Sequence, residues 1–115
     1  MPDAPDGPRR HLPAGSILAP GFVDLHIHAP QYPQLGQALD VPLEVWLGKY
    51  TFPLEARYAD LDFARPRYTA LVEDLVANGT TTALYFATAD LAPTKLLAEI
   101  CHQKGQRALV GKVVM

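Results

Sequence analysis

Two histidines, His26 and His28, stand one residue apart in the stretch Phe22 to His28. Residues i and i+2 of a β-strand point to the same face, about 6 to 7 Å apart along it. On a strand, both imidazoles can therefore reach one ion, and neutral imidazole nitrogen is an ordinary zinc ligand at about 2.0 to 2.1 Å. Two ligands are too few for a catalytic centre, which takes three from the protein and keeps a further position for water. A bare His-x-His also arises easily by chance, so its surroundings decide its meaning. Asp24 shares the parity of the histidines and serves either as an acceptor that orients a ligand imidazole or as a structural carboxylate of the strand. Gln31, three residues past His28, has a carboxamide that offers donors and an acceptor to a ligand; its plainer reading is a solvated loop residue.

The remaining candidates carry less. Trp46, Tyr50 and Phe52 have faces that suit stacking on a planar base, yet core packing is the expected use. Thr80 to Thr82 lacks the glycine-rich loop and lysine of a phosphate site and reads as strand. His11 and His102 have no ligand-type neighbours and are expected at the surface. Cys101, the single cysteine, falls on an apolar helical stripe and is expected to be a buried, inert thiol. It cannot form an internal disulfide, which fits a reducing compartment.

The elements that position these residues alternate between two periods. Phe22 to His28 sorts as a strand, with Val23, Leu25 and Ile27 on one side and Asp24, His26 and His28 on the other. Residues 29–41 hold Pro30, Pro33 and Gly36 and are expected to be a loop leaving that strand. Asp40 is placed to cap a short helix containing Leu43, Trp46, Leu47 and Tyr50, with Pro42 in its first turn and Pro53 past its end. Pro66 suits the first turn of a second helix, carrying Tyr68, Leu71, Val72, Leu75 and Val76 and stopped by Asn78-Gly79. Thr80 to Ala87 follows as a strand covered on both faces. Pro93 opens a helix with Leu96, Leu97, Ile100 and Cys101 on one stripe, Gly105 ends it, and Arg107 to Met115 reads as a third strand. Right-handed crossovers make three parallel neighbours, the beginning of a (β/α) barrel or of an open doubly wound α/β sheet. His26 and His28 then lie at the carboxyl end of the first strand, where barrel enzymes build their sites.

Composition narrows the class. Hydrophobic residues make up 49% and charged residues 19%, the balance of a globular domain rather than of a disordered one. A net charge of −2 gives no basic excess to hold nucleic acid or anionic lipid, so neither partner is expected. No apolar run is long enough for a membrane span, and no export signal is legible at Met1 to Asp6, so a cytoplasmic protein is expected.

The stretch Ala19-Pro20-Gly21-Phe22-Val23-Asp24-Leu25-His26-Ile27-His28 resembles the signature of the amidohydrolase superfamily, a Pro-Gly turn followed by a strand ending in Asp-x-His-x-His. A narrower resemblance covers about residues 19–115. His28 to Tyr32, Trp46-Leu47 with Tyr50 to Pro53, Asn78 to Ala83 and Gly105 to Met115 look like the guanine deaminases.

The resemblance implies an α/β fold: the first three β/α units of a TIM-type (β/α)8 metal-dependent hydrolase barrel, truncated. Residues 1–18 are then a tail or the remnant of a small β domain, and residues 19–115 the N-terminal part of the barrel. It implies Zn2+ as cofactor, His26 and His28 as metal ligands, and guanine as the small-molecule substrate, converted with water to xanthine and ammonia. Gln31 is implied to contact guanine, with the backbone of His28, Ala29 and Pro30 lining the pocket. Two later histidines, an aspartate and an acidic proton shuttle complete the family's site. These are expected downstream of Met115, so no catalytic residue is expected within the chain and the chain alone is expected to be inactive. The full-length parent is expected to be a homodimer. The alternatives are another amidohydrolase, acting on cytosine, adenosine-type or chlorotriazine substrates, or an inactive fragment; Gln31 and the Trp-to-Phe-Pro segment favour guanine. The apolar edge left at Leu109, Val110, Val113 and Val114 predicts that the isolated chain self-associates.

Overall fold

Three parallel strands in the order β1-β2-β3 carry the computed structural model, which describes Gly7 and residues 9–114. Strands β1 (Phe22–His28), β2 (Thr80–Phe86) and β3 (Arg107–Gly111) are joined by helical crossovers, as the alternating periods predict. Residues 9–21 form neither helix nor strand, and the rest of the expected tail lies outside the described residues. The third strand is shorter than expected, ending at Gly111.

Two helices form the covering layer. Helix α3 (Leu61–Ala77) starts earlier than expected because Asp60 caps it, its Oδ1 accepting from the amides of Asp62 at 2.9 Å and Phe63 at 3.4 Å. Pro66 consequently lies inside the helix rather than in its first turn. Asn78-Gly79 ends α3 as expected, with Gly79 at φ +93°, a conformation glycine adopts without steric cost. The Gly79 carbonyl then accepts from the Phe22 amide at 2.8 Å, so the stop of the helix also fixes the start of β1. Helix α4 (Leu91–Lys104) buries Leu96, Leu97, Ile100 and Cys101 along its expected stripe and closes on Gly105 in the left-handed conformation.

The segment between β1 and α3 differs from its expectation. Residues Ala29–Gln34 form a 3-10 helix in place of a loop. A helical run then extends through α1 (Leu43–Trp46), a π-helical segment (Leu47–Thr51), α2 (Phe52–Ala56) and a 3-10 turn (Arg57–Ala59). Pro53 does not end it, because the wider π turn before it relieves the clash a proline ring makes with the carbonyl four residues back. Asp40 does not cap it; the cap position is Pro42, with no side-chain bond.

The core forms between helices and sheet, from Tyr58, Tyr68, Leu71, Val72, Ala83, Tyr85, Leu97, Ile100 and Cys101. Within it the Tyr85 hydroxyl donates to Gln106 Oε1 at 2.6 Å and Gln106 Nε2 to the Thr80 carbonyl at 3.0 Å, while the buried Tyr58 and Tyr68 hydroxyls meet no hydrogen-bond partner among the described residues. Of the three apolar residues sorted to one side of β1, Val23 and Leu25 are 61% and 64% exposed, and only Ile27 packs against the core. The helices lie over β2 and β3, leaving β1 an uncovered edge. The expected core packing of Trp46, Tyr50 and Phe52 is not found: Trp46 and Tyr50 are half-buried and Phe52 is exposed, while Tyr58 fills the core.

Two predictions follow from this packing. A Cβ built on Gly21 would meet Thr81 Oγ1 at 2.1 Å and Cβ at 2.7 Å, so Gly21→Ala is expected to lower stability by roughly 1–3 kcal/mol through overpacking. Urea unfolding measures it, and an unchanged midpoint would show that Thr81 moves aside freely. Burial pushes the Cys101 thiol from 9.0 up to about 11. Alkylation at pH 8 is therefore expected to run on the order of a hundredfold slower in the folded chain than in urea; equal rates would place the thiol in an open environment.

Candidate functional site

Strand β1 pairs in parallel with β2, Asp24 opposite Ala83 and Ile27 opposite Tyr85, so β1 carries one residue more than its partner between those pairs. Such a bulge breaks strict alternation and re-aims side chains. Asp24 Oδ1 accepts from the His26 backbone amide at 3.0 Å within it. Of its two expected roles, Asp24 thus takes a structural one here, holding the peptide that carries the first histidine.

The consequence is at the imidazoles. His26 Nε2 and His28 Nε2 face each other at 3.2 Å. That separation is within hydrogen-bond reach, one ring nitrogen donating to the other, and it also leaves both nitrogens close enough to approach one ion. Phe86, at the end of β2, holds the pair from one side, its ring stacked on His28 at 5.0 Å between centroids and tilted against His26 at the same distance. Both histidines are exposed and can receive a ligand from solvent. Among the described residues, no group of three or more His, Cys, Asp or Glu side chains gathers to hold a metal.

An open cleft of roughly 460 Å3 runs along the free edge of β1, between Asp24, His26, His28 and Gln31 on one side and Leu71, Asp74 and Leu75 of α3 on the other. The 3-10 helix seats Gln31 here, half-buried, three residues past the second histidine. Its neighbours Ala29 and Pro30 are buried and do not border this cleft. The Tyr32 hydroxyl donates to Asp74, pinning the 3-10 helix to α3.

Sequence reasoning missed Glu55, whose Oε1 accepts from Gln31 Nε2 at 3.0 Å. The signal lay in spacing: Gln31 and Gln34 stack on one face of a 3-10 helix, and Thr51 and Glu55 on one face of the helical run. Reading it required knowing that residues 29–34 are helical. Phe52 and Glu55 also border a second cavity of roughly 330 Å3, with Thr88 and Asp90 at the mouth of β2. His11 and His102 are at the surface and Cys101 is buried, as expected.

The parallel β/α arrangement with His26 and His28 at the carboxyl end of its first strand agrees with the amidohydrolase family model, which matches residues 17–115: the chain belongs to this family. A probable guanine deaminase of Schizosaccharomyces pombe is 56% identical over 99 residues, covering 86% of the chain. The human guanine deaminase is 51% identical over 106 residues, covering 92%. The solved guanine deaminase of C. acetobutylicum, with guanine bound in its active site, superposes over 84% of the chain with a TM-score of 0.81 at 45% identity. The chain spans about a fifth of these relatives, 19%, 23% and 23% of their respective lengths.

Proposed function

We propose that this chain is the metal-holding segment of a zinc-dependent guanine deaminase, which hydrolyses guanine to xanthine and ammonia. The observation that carries the reading is the pair of imidazole nitrogens facing each other at 3.2 Å at the carboxyl end of β1. In this reading the three strands are the first three of a (β/α)8 barrel, whose sites lie at that end.

His26 and His28 hold the ion, and Asp24 keeps the His26 peptide in place. Zinc supplies a Lewis acid that makes water available as a nucleophile near neutral pH. Gln31 contributes hydrogen bonds to the purine edge, in keeping with its place beside the imidazoles on the cleft. The guanine bound in the C. acetobutylicum relative supports a purine substrate. The remaining ligands and the proton-carrying acid are assigned to a form of the protein as long as its relatives.

The test is ammonia release from guanine, cytosine and adenine, by the zinc-loaded 115-residue chain beside such a longer form. The longer form is expected to prefer guanine by at least on the order of a hundredfold, to lose activity on chelation and to regain it with zinc. The short chain is expected to release none. Preference for cytosine or adenine would overturn the substrate reading, and turnover by the short chain would overturn the division of the site.

A further inference from the structure

Gln31 and Gln34 each donate a hydrogen bond to the helical run, Gln31 Nε2 to Glu55 Oε1 at 3.0 Å and Gln34 Nε2 to Thr51 Oγ1 at 2.7 Å. Three residues of a 3-10 helix and four of an α-helix both rise about 6 Å. The two pairs therefore form matching rungs of an antiparallel ladder. The Gln34 rung is buried. The Gln31 rung is half-buried and open to the cleft that holds His26 and His28.

An ionised carboxylate only accepts. Glu55 therefore requires the amide nitrogen of Gln31 on its side, since the flipped amide would set carbonyl oxygen against carboxylate. What remains of Gln31 for a ligand is its carbonyl oxygen and one N–H. Glu55 itself borders the neighbouring cavity and not the cleft, so its route to the site runs through Gln31.

We propose that Glu55 is a positioning residue that fixes the orientation of the Gln31 carboxamide, committing it to present an acceptor oxygen to an N–H of the purine edge. The proposal rests on the reading of Gln31 as a guanine contact. It assigns to the helical run 43–59 a part in substrate selection, reached across one hydrogen bond.

The test is a double-mutant cycle in the zinc-loaded, relative-length form, reading guanine KM and kcat separately with thermal melting as a control. Glu55→Ala is expected to raise KM on the order of tenfold, the weight of one charge-assisted hydrogen bond, with kcat within about twofold. Glu55→Gln, which can still accept from Gln31, is expected to recover most of that loss. In a Gln31→Ala background, Glu55→Ala is expected to add nothing further. Additive effects, or a lowered kcat at unchanged KM, would overturn the positioning role. A raised KM in Gln31→Ala with none in Glu55→Ala would overturn the part given to Glu55 while leaving Gln31 a substrate contact. An unchanged KM in Gln31→Ala would overturn that contact and the proposal with it.

Discussion

Parallel pairing of β1 with β2 is the constraint on which the site depends. It brings the carboxyl ends of both strands to one side of the molecule, setting His28 opposite Phe86. It also admits the extra residue of β1 that lets two successive same-parity histidines converge. The pairing is held from below by the Gly79 carbonyl on the Phe22 amide, and from the side by the absence of a Cβ at Gly21, where Thr81 packs. The Pro-Gly turn and the Asn-Gly stop, distant in sequence, thus act on the same strand.

Around that strand, the structure fastens the site with side chains rather than with core packing. Tyr32 reaches α3, while Gln31 and Gln34 reach the helical run. Each such bond contributes about 0.5–1.5 kcal/mol, more where one partner is charged. Their larger effect is geometric, because they orient the segment that follows the second histidine while β1 stays uncovered by the helices. The apolar residues on that strand, Phe22, Val23 and Leu25, remain 70%, 61% and 64% exposed, a surface of the kind that promotes association.

Much of this was legible in the sequence because period and punctuation agree. The end of α3 and α4 carry helical spacing with glycine stops, β2 is a run of β-branched and apolar residues after Gly79, and their boundaries fall near where those signals place them. The His-x-His pair was legible from strand parity, but the irregularity in β1 between Asp24 and Ile27 was not. Three other features were not legible. Pro30 and Pro33 read as loop; Pro30 falls in the first turn of the 3-10 helix, where an amide needs no partner, while Pro33 lies inside it. Pro53 reads as a stop, and only the π turn before it lets the helix continue. The signal for Glu55 lay in matched spacings of two segments, which only the helical form of residues 29–34 brings together across 24 positions. The alternation of β1 put Val23, Leu25 and Ile27 on one side; it cannot say whether a second layer covers that side.

The central claim is that His26 and His28 form one donor pair through their Nε2 atoms. Nitrogen-resolved NMR of the histidine rings during zinc titration of the 115-residue chain addresses it most directly. The account predicts that both Nε2 resonances shift together and saturate at about one zinc per chain, with His11 and His102 unmoved, and that His26→Ala removes the response of His28 as well. Independent responses of the two rings, or coordination through Nδ1, would contradict it.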